Sequence, residues 1–180
     1  MRWMQGGLPL FGERATVRWL GSTAVELVIR EAKAPFAAVT LVLFFEARDL
    51  PWMWALGRLR GRRDTLIVYG ELRNVPTIDF EALDTASWSG REARRRIPAN
   101  WLQHRAGGHD AMTVHLADAA ALSRASALVS LAQRGARNVF RLSVRKTAPN
   151  FQLHVALPDV RQSARGYFEA LEAIAQGAAG

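Results

Sequence analysis

At 180 residues the chain is long enough to bury a substantial core as one domain spanning residues 1–180. Its 49% hydrophobic and 22% charged residues exclude global disorder, and the lack of cysteine excludes disulfides, thiolate metal sites and cysteine nucleophiles. The formal charge of +8 is carried almost entirely by arginine, since Lys33 and Lys146 are the only lysines. That bias fits bidentate recognition of phosphate or carboxylate, and it equally fits a GC-rich genome, which also raises alanine and glycine.

Residues 1–13 place Trp3, Leu10 and Phe11 among glycines and Pro9, an irregular arm expected to pack its apolar groups on the body. Ala15 to Leu20 and Ala24 to Arg30 read as two strands around Gly21-Ser22, a tight-hairpin pattern. A helix over residues 22–33 is the competing assignment. Ala34 to Phe45 is the most hydrophobic run. Its twelve residues fall short of the roughly 20 needed to cross a bilayer, and Glu46, Arg48 and Asp49 follow at once. A buried strand is expected there, with no membrane span. The first residues lack the apolar core and cleavage site of a signal peptide, so the expected compartment is the cytoplasm, with association with the cell envelope as the open alternative.

Leu50 to Leu59 reads as a short helix whose tryptophans, Trp52 and Trp54, are expected to pack in a core or lobe. Arg58, Arg60, Arg62 and Arg63 form the first arginine cluster. Thr65 to Leu72 alternates as a strand, and Asp79 is expected to cap a short helix through Phe80 and Leu83. The stretch 84–110 is the loosest part of the chain. It holds Trp88, Trp101 and a second cluster containing Arg94, Arg95 and Arg96. Long excursions of this kind often carry function.

From residue 112 the pattern becomes regular. Met112, Val114 and Leu116 alternate with Thr113 and His115, the period of a strand with one buried side. Asp118 is a candidate N-cap, and Leu122, Ala125, Val129 and Ala132 recur at helical spacing. Gly135 is expected as a left-handed C-cap. Residues 139–145 and 151–157 alternate on either side of a turn at Pro149, and a last helix follows a cap at Asp159 or Ser163. The expected fold is an α/β two-layer sandwich, a mixed sheet with its helices mainly on one face. The opposite face then carries Thr113, His115, Arg141, Ser143, Arg145, Gln152 and His154. Left open, it is a basic surface, with His115, Arg141, Arg145 and His154 as binding candidates.

Catalytic motifs are absent from the sequence. Gly57, Gly61 and Gly70 make no phosphate loop or dinucleotide fingerprint, and no serine sits in a nucleophile elbow. His104 and His109 lack third and fourth ligands at zinc spacing. His115 and His154 are conceivable as a metal pair if their strands adjoin. Glu71, Asp79, Glu81 and Asp84 form an acidic patch without evident partners. No cofactor or metal is expected.

The order PFAAVTLVLFF at 35–45, TLIVYGELRNVPTIDFEAL at 65–83, then VHLAD, a helix and RGARNVFRLSV through 144 resembles the ExbD/TolR family. Members are small envelope proteins that serve motor complexes, with a proline-led apolar segment ahead of a compact domain of strands and helices. The resemblance implies such a fold used for protein–protein contact. The family's ion-coupling aspartate has no counterpart here, where Ala37 and Ala38 stand. The leading functional expectation is a non-catalytic protein-interaction or assembly module with a basic surface, binding a protein partner or itself. The alternative is nucleic-acid binding through Arg58, Arg60, Arg62, Arg63, Arg94, Arg95 and Arg96. An unrecognised enzyme is third.

Overall fold

The computed structural model describes residues 2–46, 51–59, 63–106, 112–136, 138–157 and 163–180, apart from the side chains of Arg2, Met53 and Arg58. The alternation read from the sequence is realised, among the described residues, as nine strands in one sheet. They are β1 (Thr16–Trp19), β2 (Ala24–Ile29), β3 (Phe36–Phe44), β4 (Thr65–Leu72), β5 (Phe80–Leu83), β6 (Leu102–Ala106), β7 (Met112–Leu116), β8 (Val139–Val144) and β9 (Phe151–Ala156). Their spatial order is β1-β2-β3-β4-β9-β8-β5-β7-β6. The chain is an α/β fold, as expected from its sequence.

Every pairing in the sheet is antiparallel, where a mixed sheet was expected. The strand–helix–strand unit at residues 112–144 would ordinarily place two parallel strands side by side. Here β5 slots between β7 and β8 and pairs antiparallel with both. The same insertion overturns the helix expected after Asp79. Phe80 to Leu83 is a strand with all four residues buried. Asp79 instead accepts a hydrogen bond from the Lys146 backbone N–H at 2.8 Å.

One face of the sheet meets the helix layer. Val25, Leu27 and Ile29 of β2, Leu66 and Val68 of β4, Leu142 and Val144 of β8 and Phe151, Leu153 and Val155 of β9 share one hydrophobic core. Covering it are α5 (Leu122–Gly135) and α6 (Ala164–Ala179), with α1 (Arg2–Gln5) and α2 (Leu8–Phe11) against α6. Asp118 accepts from the Ala120 N–H, and Ser163 accepts from the Gly166 N–H, so both expected caps form; Asp159 lies outside the described residues. Gly135 does something other than cap: α5 runs through it, and a Cβ there would stand 2.8 Å from the Ala170 methyl of α6. Its bare backbone lets the two helices close on each other. The first residues form two short helices in place of an irregular arm.

Phe168 is the keystone between the N-terminal helices and α6. It is fully buried, with its ring 5.1 Å from Phe11 and 6.1 Å from Trp3 and Tyr167, centroid to centroid. Phe168→Ala is expected to destabilise the fold by about 3–5 kcal/mol, the range for emptying a buried phenylalanine site. Denaturant titration checks this, with the m-value unchanged if the native state stays compact.

Candidate binding surface

The second face of the sheet carries the polar residues that sequence alternation placed there, but it is not open. At its centre is Glu81 of β5, 2% exposed. Glu81 lies directly opposite Ser143 of β8, and Leu83 opposite Arg141, which sets the two arginines on either diagonal from the carboxylate. Arg141 donates from Nε to Oε2 and from Nη2 to Oε1, both at 2.9 Å. Arg145 donates to Oε1 from Nη2 at 2.8 Å and from Nε at 3.2 Å, and the Ser143 hydroxyl donates to the same oxygen at 2.9 Å. Five donor contacts therefore converge on one carboxylate.

Burial alone would raise the Glu81 pKa, but the hydrogen bonds and charges of Arg141 and Arg145 together outweigh it. Its pKa falls below the usual 4.5, and the group is an anion at neutral pH. The arginines are mostly buried too, with side chains 19% and 24% exposed. The Arg145 guanidinium lies 4.2 Å from the Trp101 ring centre, a cation–π contact that covers it.

The cover is the excursion after β5. The helix α4 (Trp88–Arg94) packs on β5 and β8. Ser87 caps it, accepting from the Gly90 N–H at 2.9 Å while donating to the Asp84 carbonyl at 2.7 Å. Gly90 passes so close to Asp84 that an added Cβ would stand 2.0 Å from its carbonyl oxygen. From α4, Ser89 Oγ reaches His154 Nδ1 on β9 at 2.6 Å. His115 and His154 end up 6% and 7% exposed, each with its Nε2 buried and unpartnered. The proposed basic face is thus corrected: His115, Arg141, Arg145 and His154 share the predicted side of the sheet, but that side is covered, with Arg141 and Arg145 bound to Glu81, His154 to Ser89, and His115 buried. Thr113 and Gln152 are half-buried.

The Ser89–His154 contact has the length of a nucleophile–base pair, so its chemistry matters. Burial, reinforced by the nearby Arg141 charge and only partly opposed by Glu81, lowers the His154 pKa from 6.5 to about 4. A general base is best with a pKa near working pH, so this shift is in the wrong direction. Among the described residues, no carboxylate hydrogen-bonds the imidazole to orient it. His115 is lowered as well, chiefly by burial, then by the Arg94 charge against a counter-pull from Glu81. The two histidines are not a metal pair. Their strands β7 and β9 are separated by β5 and β8, three inter-strand steps or about 14 Å. Among the described residues no three His, Asp or Glu side chains are grouped to hold a metal ion.

What remains exposed is elsewhere. Arg94, Arg95 and Arg96 project from the end of α4, the last two meeting Glu92 at 3.1 and 3.2 Å. Arg91 is exposed beside them, and Trp88 is 76% exposed. Strand β6 lies at the edge of the sheet next to this surface, with Leu102, Gln103 and Arg105 exposed. A shallow polar hollow beside β6 is lined by Thr85, Gln103, His104, Arg105 and Thr113. Of the first arginine cluster, Arg63 is exposed, while Arg60, Arg62 and the Arg58 side chain lie outside the described residues, as do His109 and Asp110. Sequence reasoning missed Glu81 as a site residue. The available signal was Arg141-x-Ser143-x-Arg145, which aligns two cations on one strand face and demands a counter-charge if that face is covered.

Two pH windows separate the buried groups. A histidine held neutral by folding makes the native state lose stability as pH falls from 6.5 towards 4, whereas Glu81 contributes above 4.5 and loses that contribution as pH falls below it. His154→Gln should flatten the upper window, whose full amplitude is roughly 3 kcal/mol. Glu81→Gln should flatten the lower one and cost about 3–5 kcal/mol at pH 7, because two guanidinium groups lose their partner. Urea melts across pH 3 to 8 check both.

No known protein family, curated protein or solved structure matches the chain.

Proposed function

We propose that the chain is a non-catalytic protein-interaction or assembly module whose contact surface is formed by α4, the turn after it and the edge strand β6. The observation that carries this reading is the division of polar groups between inside and outside. Of the groups with chemical potential, Glu81, His154 and Ser89 are engaged in roofing the sheet, and His115 is buried on the same face. The roof in turn holds Arg91, Arg94, Arg95, Arg96 and Trp88 outward on a fixed platform. Exposed tryptophan and arginine are the residue types that dominate protein interfaces. Strand β6 adds an outer edge without a strand neighbour among the described residues, which suits docking by strand addition. The chemistry of the surface favours an acidic partner. The resemblance to the ExbD/TolR family, whose members work through protein contacts, points the same way.

Nucleic-acid binding is the second reading, favoured by the same exposed arginines. Its weakness is the sheet face, where single-strand binders present stacking aromatics and this chain presents a buried ion cluster.

The test is reconstitution. A chain recovered in fixed stoichiometry after nuclease treatment is purified and recombined, and sedimentation velocity compares the wild type with the R94E/R95E/R96E variant. Under the proposal the complex, or a self-association of the purified chain, persists in the wild type and weakens at least about tenfold in the variant, as expected for loss of interface arginines. Binding of RNA or DNA that collapses steeply with added salt, with no protein partner, supports the second reading instead.

A further inference from the structure

At the other side of the sheet a helix presents its apolar side to solvent. The helix α3 (Pro51–Leu59) leaves the body after β3 and returns into β4. The base of the excursion is closed by the Glu46 backbone N–H donating to Asp64 Oδ1 at 2.8 Å. Trp52, Leu56 and Leu59 recur at spacings of four and three, so they line one face. That face points outward: Trp52 is 66% and Leu59 85% exposed, and Leu56 is exposed between them. Trp54 and Gly57, on the other side of the helix, are the more covered pair. An apolar helix ordinarily turns its stripe to the core; here Trp52, Trp54, Leu56 and Leu59 are all exposed, which overturns the expectation that both tryptophans pack inside.

The charge around this stripe identifies what suits it. Residues 50–63, LPWMWALGRLRGRR, contain Arg58, Arg60, Arg62 and Arg63 and no acidic residue. Asp49 and Asp64 bound that stretch, so residues 48–64 hold five arginines against two aspartates, a net charge of +3. A short helix with tryptophan and leucine on one face in such a basic segment has the composition of one that lies in the headgroup region of anionic lipid. Tryptophan suits that boundary because its ring is apolar and its N–H is not. Nine residues rise about 14 Å, less than half the hydrocarbon thickness, so the helix lies on a bilayer and does not cross it. Among the described residues no helix is long and apolar enough to cross one. The exposed Trp19 and Leu20 at the end of β1, and Phe44 at the end of β3, stand at the same end of the sheet as the excursion. We infer that α3 docks the protein on an anionic membrane surface, its Trp52–Leu56–Leu59 face in the lipid interface, with the net positive charge of the segment favouring anionic over neutral headgroups.

This surface is six strands away from β6, about 30 Å across the sheet, and it stands independently of the interaction reading above. The test is flotation of the full chain with phosphatidylcholine vesicles, with and without phosphatidylglycerol, at low and high salt. The wild type is expected to float with the anionic vesicles only. The charge-preserving variant Trp52→Ser/Leu59→Ser should lose that affinity at least about tenfold with its thermal melt unchanged, and Leu56→Ser should lose part of it. Undiminished flotation of the double variant would show attraction by net charge alone and overturn the inference, as would no flotation of the wild type. A change in sedimenting mass without vesicle binding would assign the face to a second copy and overturn it too. Loss of vesicle binding with the α4–β6 complex intact separates this result from any failure of the earlier reading.

Discussion

A single carboxylate buried in a sheet fixes how this molecule is put together on its polar side. Glu81 is nearly inaccessible, and such an ion is tolerated only where several donors replace its water. Arg141, Arg145 and Ser143 do so from one neighbouring strand. Their alignment depends on β5 lying beside β8 in the observed register, because a slip of one residue would turn Glu81 towards the helix layer and Phe80 away from it. The ion cluster therefore selects strand register more than it adds stability. The pairing that makes the sheet antiparallel throughout is the same pairing that brings these charges together.

From that cluster the covering elements follow. A pair of guanidinium groups held in place offers a flat cation to Trp101, and the tryptophan brings with it the start of β6. The helix α4 settles over the remaining polar surface, held through its first turn by the Ser87 cap and by the contact between Ser89 and His154. What the chain shows to its surroundings on this side is consequently a second layer of arginines, distinct from the first. The two layers have opposite roles despite their shared chemistry. The inner arginines are matched to a carboxylate inside the molecule, while the outer ones sit at high exposure, where a pair such as Arg95 with Glu92 contributes little.

Much of the fold was legible because strand and helix periods differ. From residue 112 onward each strand, each helix and each strand face is where alternation put it, and the hairpin at Gly21-Ser22 formed in preference to the competing helix. The failures share a cause. Phe80 to Leu83 is too short to display a period, and a strand buried on both faces loses the alternation that would mark it. Leu102 to Ala106 sits at an edge with mostly exposed residues, so its pattern carries no apolar signal. The polar face was located correctly, yet its exposure could not be read, because alternation reports which side of a sheet a residue occupies and not what is laid over that side. Trp52 and Trp54 failed in the opposite sense: hydrophobicity was taken as burial, and the stripe faces outward.

The seating of α1 and α2 on α6 has a consequence for the order of events during synthesis. Trp3 and Phe11 find their ring partners, Tyr167 and Phe168, some hundred and fifty positions later. Strand β4 likewise waits for β9 to supply its neighbour. The residues of α1 and α2 are thus made well before the helix they pack on, and the growing chain carries Trp3 without its α6 partner until α6 has emerged. Contacts this distant along the backbone also slow the search for the native state once it is free to begin.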